Sequence, residues 1–229
     1  MIKWNEILRN MGKKDFINVD PIKMNLTSVI KTKLKKYGKG KLLDVGAGNL
    51  IFKQFLPKNV KQYVSLDVEI RDKELDVIGD AQNLPFKPKS FDTVLCSEVI
   101  EHVKEPYTAL KEINRVLKKS GILILTAPHL FYVHERPNDY FRFTNYGLSY
   151  LLKKAGFKII SLKPTGGMIE FMGHLFSVFL LRITYFNRLL FRMAFETNKI
   201  IQKHFILKLD KVIDKEKRFA RGYIVIARK

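Results

Sequence analysis

The sequence predicts an α/β protein with a doubly wound, mostly parallel sheet of seven strands and a helical insertion before the last strand. Three observations predict it. Short apolar runs alternate with segments of helical period over the first two thirds of the chain, the pattern of a parallel sheet covered by helices on both faces. The first of these runs, Lys41 to Val45, leads directly into Gly46-Ala47-Gly48, a buried strand entering a glycine turn. Some 55 residues, roughly, separate the sixth run from the seventh, too many for a plain loop, and their pattern is helical.

Element by element, residues 20–37 read as an amphipathic helix with Asp20 as cap and Pro21 in its first turn, ended by Gly38 and Gly40. The first strand follows at 41–45, a second at 62–67, a short third at 75–79 and a fourth at 91–97 with the β-rich centre Thr93-Val94-Leu95. Pro106 opens a helix that continues through Leu110, Ile113, Val116 and Leu117 to Lys119. Ser120-Gly121 is expected to stop it before a fifth strand at 122–126. A helix over 144–155, closed by Gly156, leads to a sixth strand at 157–162, and 223–227 supplies the seventh. The whole chain, 1–229, is expected to be a single domain, with residues 168–215 as its helical insertion.

Composition narrows the function. One cysteine, Cys96, excludes an intramolecular disulfide and any multi-cysteine zinc site. The net charge of +20 implies attraction to nucleic acid, phospholipid headgroups or a phosphorylated substrate, or a solvated basic surface with no specific partner. The N-terminal stretch MIKWNEILRNMGKKD lacks the apolar run of a signal peptide. The longest uncharged apolar stretch, Phe171 to Leu181, is shorter than the roughly 20 residues a bilayer span requires. A cytoplasmic protein is the expectation, peripheral to a membrane if the helical insertion lies on one.

Acids mark the ends of the early strands: Asp44 in the first, Asp67 about 20 residues past the glycines, where an acid can accept the ribose hydroxyls of a nucleoside, and Asp80 after the third. A nicotinamide-binding turn would place a third glycine at position 51, which is Ile51. Each acid could equally cap a turn or a following helix. The segments LLDVGAGNL, YVSLDV, GDAQNLPF, FDTVLCSEVIEHV and LKKSGILILTAP, in that order over residues 40–163, together resemble the class I methyltransferases dependent on S-adenosyl-L-methionine (SAM). The resemblance is to the small-molecule group that includes quinone C-methyltransferases.

That resemblance implies a Rossmann-like class I methyltransferase fold, SAM as cofactor and S-adenosyl-L-homocysteine as product. It implies that Gly46, Ala47 and Gly48 pass beneath the methionine part of SAM and that Asp44 orients its ammonium group. Asp67 and Val68 would hold the ribose, Asp80 and Ala81 would meet the adenine, and Ser97 and Glu98 would complete the pocket. The resembling sequences often carry a small residue at position 50, where this chain has Leu50.

SAM is already a strong electrophile, so the enzyme must mainly align an acceptor with the methyl group and exclude water. An acceptor hydroxyl also needs a base. Glu98, Glu101 and His102 at the end of the fourth strand are candidates, and so is His134, with Tyr140 to position the acceptor and Arg136, Tyr140 and Arg142 to bind it. Structural roles compete: His102 as a satisfied histidine, and Asp139, Arg142 and Thr144 as a turn and helix cap. His129 and His134 could suggest a metal, but no carboxylate spacing supports one, so none is expected.

The stretch HERPNDYFRFTNYGLSYLLKKAGF resembles a pattern in methyltransferases associated with cell-surface glycan assembly. A glycan-related or lipid-linked small-molecule acceptor is the favoured expectation. An RNA methyltransferase and a non-catalytic SAM-binding scaffold or sensor are the alternatives, nucleic acid being the weaker partner because no separate RNA-binding module is evident. The aromatic, arginine-punctuated segment from Met168 to Phe195 fits three roles: packing against the sheet, a homodimer surface, or contact with an anionic membrane.

Overall fold

A computed structural model describes residues 21–214, 217 and 219–229; Asp20, the expected helix cap, and the N-terminal stretch lie outside them. The chain divides into two compact units. One comprises Ile30–Pro164 with Gly222–Lys229; the described residues of the other are 21–29 and those between Thr165 and Arg221.

The first unit carries the sheet: β1 (Gly40–Val45), β2 (Val60–Asp67), β3 (Val77–Ile78), β4 (Phe91–Ser97), β5 (Leu117–Pro128), β6 (Lys158–Thr165) and β7 (Gly222–Arg228). Their order is β3-β2-β1-β4-β5-β7-β6. β1, β2, β3, β4 and β5 pair in parallel, and β7 runs antiparallel to β5 with Ile124 opposite Ile226. After β3 the chain returns to lay β4 on the other side of β1, so the strand order reverses between them. The carboxyl ends of β1 and β4 therefore flank the crevice where ligands bind in sheets of this kind.

Around the sheet lie α1 (Pro21–Tyr37), whose second half belongs to this unit, α2 (Pro106–Val116) and α3 (Asn145–Lys154). Ala109, Leu110, Ile113 and Val116 of α2 and Leu148 and Leu152 of α3 are fully buried in one core with Val94, Cys96, Leu123, Leu125 and Val225. Truncating Leu110 or Ile113 to alanine would cost about 2–5 kcal/mol. Thr144 caps α3, its Oγ1 accepting from Gly147 N at 3.0 Å, as the structural alternative for that residue required. Lys229 Nζ donates to the carbonyls of Asn114 and Leu117 at 2.5 and 2.8 Å, satisfying acceptors that the end of α2 leaves open.

The junction of α2 and β5 differs from the expectation. The helix stops at Val116, and β5 begins at once, with Leu117 paired to Phe91 before a bulge that resumes at Thr93 opposite Ile122. Ser120 takes a left-handed φ of 63° within that bulge. A Cβ on Gly121 would sit 2.9 Å from both Leu117 Cδ2 and the Lys118 carbonyl oxygen. Gly121 thus permits a tight strand bulge and does not stop a helix. Burying Leu117 beside Phe91 outweighs its helical periodicity.

The second unit contains α4 (Met168–Thr184), α5 (Arg188–Ile201), a π-helical turn over Gln202–Ile206 and α6 (Leu207–Ile213). Its interior joins a small apolar cluster, Leu181 and Phe195 with Phe191 and Ala194, to a polar network. Asn198 Nδ2 donates to Ser177 Oγ at 2.6 Å, and Gln202 Nε2 donates to Asn198 Oδ1 and to the Gly173 carbonyl at 2.9 and 3.1 Å. The start of α4 is capped from α6 and the residue after it: Glu170 N donates to Asp210 Oδ1 and Met168 N to Asp214 Oδ2. Lys217 Nζ neutralises Asp210 at 2.5 Å.

The outer faces carry the apolar stripes. Met172, Leu175, Phe176, Phe179 and Ile183 recur at helical spacing along α4, and Leu189, Met193 and Ile200 along α5; all are exposed, Phe179 by 60% and Leu189 by 68%. Packing of this segment into a core, one of its three expected roles, does not occur at these residues.

Candidate active site

The turn after β1 is built by three backbone donors. Gly46 N and Ala47 N donate to the Leu66 carbonyl at 2.8 and 3.0 Å, and Gly48 N donates to Asp67 Oδ2 at 2.8 Å. Gly46 and Gly48 take φ of 69° and 51°, and Val99 approaches Gly46 so closely that a Cβ there would lie 2.2 Å from its Cγ2. Above Gly48 the space is open: a Cβ would meet no atom within 4 Å. Leu50 departs from the small residue of the resembling sequences at a conformational cost. Its φ of 53° is left-handed, worth about 1–2 kcal/mol of strain, and it is held by near-complete burial.

Asp44 is buried beside this turn and accepts a hydrogen bond from Tyr63 Oη at 2.8 Å. Burial raises its pKa to about 7, against the Tyr63 bond, which lowers it; the nearby Asp67 adds to the rise. Tyr63 is itself pushed upward by burial and the Asp44 charge. A buried carboxyl poised in this way favours a cation beside it. Asp67, at the end of β2, is nearly buried and also accepts from Glu69 N at 3.1 Å.

Asp80 is exposed and closes a turn of its own, Oδ1 accepting from Gln82 N at 2.8 Å, while Ala81 is buried and Val68 is 61% exposed. At the end of β4, Ser97 Oγ and Thr126 Oγ1 lie 3.1 Å apart. Glu98 N donates to the side-chain and carbonyl oxygens of Thr126 at 3.1 and 3.2 Å. This bridge holds Glu98 at a left-handed φ of 54°. The open cradle above Gly48, the two acids and these donors fit a SAM-sized nucleoside. When bound, SAM supplies a sulfonium methyl group, and these residues would orient its ammonium and ribose.

Beside this crevice the segment after β5 returns to the short 3₁₀ turn Ile100–His102. Tyr140 N donates to the Glu101 carbonyl at 2.9 Å, and His102 Nδ1 lies 2.6 Å from the Asn138 carbonyl oxygen. Only an N–H can face a carbonyl, so His102 carries its proton on Nδ1. The His102 and His134 rings meet edge to face, 4.7 Å between centroids. Asp139 binds the group together: it accepts two guanidinium bonds from Arg142, at 2.6 and 2.7 Å, and the backbone N–H of His134 at 2.8 Å, and it lies 3.3 Å from His134 Nδ1.

Burial works against the Asp139 charge, but Arg142 and the His134 N–H hold it at about 2. Burial lowers the pKa of His134, aided by His102. Glu101, fully buried, is pushed well above the usual carboxylate range by desolvation and by Glu98.

The structure brings His102, His134, Glu98, Glu101 and Asp139 into one cluster, and leaves other residues outside its centre. Arg142 directs its remaining donors to the carbonyls of Phe131, Tyr132 and Phe141, so its guanidinium braces the chain. Arg136 is exposed, and Tyr140, 39% exposed, donates to Asn138 Oδ1 at 3.0 Å. His129 packs against Tyr223 and takes no part in the histidine pair that sequence adjacency suggested. Tyr63, bonded to Asp44, and Thr126, bonded to the Glu98 backbone, are contacts that no motif marked, since a lone hydroxyl in a strand carries no local signal.

Residues 43–125 match the family described as a methyltransferase domain. Among curated relatives, an uncharacterized protein of Methanocaldococcus jannaschii is 33% identical over 124 residues, 49% of this chain and 55% of that one. A demethylmenaquinone methyltransferase of Staphylococcus haemolyticus is 48% identical over 48 residues, 21% of this chain and 20% of that one. The chain thus spans about half the length, or less, of the curated relatives it matches. In fold it is similar to the protein assigned as a methyltransferase in a Haloferax volcanii complex with a methyltransferase activator, with a TM-score of 0.61 and 14% identity over 100% of this chain and 98% of that one. Matched segment, strand order and antiparallel last strand agree: residues 43–125 are similar to a methyltransferase domain, and the sheet has the class I methyltransferase fold.

Proposed function

We propose that this protein transfers the methyl group of SAM to a small-molecule acceptor, working as one catalytic domain with a helical insertion. The observation that carries the proposal is the meeting, at the switch point of the sheet, of a glycine turn and paired acids with a polar cluster of Glu98, Glu101, His102, His134 and Asp139. The first group suits the cofactor. The second, at the carboxyl ends of β4 and β5, suits an acceptor whose proton must be taken up during transfer.

The finer proposal is a glycan-related acceptor carried on a lipid. It is supported by the exposed apolar faces of α4 and α5, by the basic residues Arg182 and Arg192 among them and by the charge of +20, a combination suited to anionic headgroups. Among the described residues no helix is long and apolar enough to cross a membrane.

The test is calorimetric titration with S-adenosylhomocysteine against NAD, followed by transfer of labelled methyl groups from SAM to lipid and aqueous cell fractions. Saturable binding of the homocysteine compound alone, with label entering the lipid fraction, is expected. Binding with no label in any fraction would replace catalysis by the scaffold role.

A further inference from the structure

We propose that Glu101, His102 and His134 form a site for one divalent first-row transition-metal ion. One ligand atom from each lies within 4.8 Å of the other two, a set that side-chain rotation closes onto a single ion. Three features distinguish it from a chance grouping.

First, the Glu101 side chain is fully buried, and among the described residues neither of its oxygens accepts a hydrogen bond. His102 Nε2 lies 3.7 Å from its Oε1. A carboxylate removed from water in this way needs a cation.

Second, the imidazoles are placed to serve as ligands. His102 donates its Nδ1–H to the Asn138 carbonyl, which leaves its Nε2 lone pair for an ion. His134 Nδ1 lies 3.4 Å from Arg142 Nη2 and 3.3 Å from Asp139, so an ion on its Nε2 would put the ring proton on Nδ1, toward the carboxylate. Carbonyl and carboxylate acceptors behind the ring are the supports that metal-bound histidines use.

Third, the supports are themselves fixed. Arg142 grips Asp139 through two nitrogens and ties it to the carbonyls of Phe131 and Tyr132. Sequence alone argued against a metal because it paired His129 with His134 and found no carboxylate for them. The fold substitutes His102 and brings Glu101 with it.

Two imidazoles and one carboxylate leave coordination positions open, and they favour a first-row ion over magnesium or calcium, which take oxygen ligands. An open position would hold an oxygen atom of the methyl acceptor. That role rests on the proposed methyl transfer, whereas ion binding stands apart from it.

The test uses untagged, chelator-stripped full-length protein titrated with Co²⁺ and followed by visible d–d absorption. One equivalent should bind with a spectrum unlike that of the aqueous ion. Glu101→Gln and His134→Ala should each weaken binding at least about tenfold, with S-adenosylhomocysteine binding retained as evidence of folding. Asp67→Ala should keep Co²⁺ binding while weakening that of S-adenosylhomocysteine, which separates failure of this site from failure of the methyltransferase reading. A wild-type spectrum identical to free Co²⁺, or unaltered binding by Glu101→Gln, overturns the proposal. Should His134→Ala not fold, the isosteric Glu101→Gln decides alone.

Discussion

Tyr63 Oη donates to Asp44 at 2.8 Å across neighbouring strands, to a carboxyl whose pKa burial has raised to about 7. The bond lowers a pKa that burial raises. Ligand-free Asp44 is therefore about half protonated near neutrality, and a bound ammonium group favours the ionised form.

Binding of S-adenosylhomocysteine should release a proton below about pH 7, with affinity falling up to tenfold per pH unit as the pH drops through that range. Calorimetry in buffers of differing ionisation enthalpy measures the release. Asp44→Asn should abolish it, and Tyr63→Phe should move it to higher pH. Because the folded pKa lies above the unfolded 3.8, the native state binds the extra proton, so this group's contribution to ligand-free stability declines as pH rises from about 4 to 7. Thermal melts across that range, wild type against Asp44→Asn, should show the decline only in the wild type.

Asp67→Ala should weaken S-adenosylhomocysteine binding by more than about 1.5 kcal/mol through lost charged hydrogen bonds. It also frees Gly48 N, which now donates to Asp67 at 2.8 Å. Unchanged affinity in a calorimetric titration would remove Asp67 from the cofactor site.

Arg142→Ala leaves the Asp139 carboxylate, whose side chain is 2% exposed, without its guanidinium partner. Stability should fall by about 3 kcal/mol, seen as a lower urea midpoint. Asp139→Asn combined with Arg142→Ala should lose less, because no uncompensated charge then remains.

Replacing Phe176 and Phe179 together by glutamate should abolish sedimentation with vesicles containing phosphatidylglycerol while leaving S-adenosylhomocysteine affinity unchanged. Both side chains are more than half exposed, so the fold should survive. Equal sedimentation of wild type and variant would refute membrane contact by this face.

Much of the fold was legible because its signals are local. The sequence places β4 at its observed limits, since the β-rich centre Thr93-Val94-Leu95 lies between turns. The helix before β5 was read too long, because Leu117 continues the apolar period of α2 and only its pairing with Phe91 reveals a strand. Asp44 and Asp67 were legible as acids at strand ends, whereas the Tyr63 contact depends on the register that sets Asp44 opposite Ser65.

The sequence by itself determined the order of strands and helices, the glycine turn and the acids beside it, because period, turn chemistry and spacing act over a few residues. Tertiary structure alone decided which titratable groups meet. Glu101 and His102 join His134 only because β4 and β5 end side by side and the segment after β5 folds back to the 3₁₀ turn. It also decided which face of α4 and α5 is buried. A helical stripe shows in sequence that two faces differ, but the hydrogen bonds of Ser177, Asn198 and Gln202 to one another and to the backbone make the polar face the inner one.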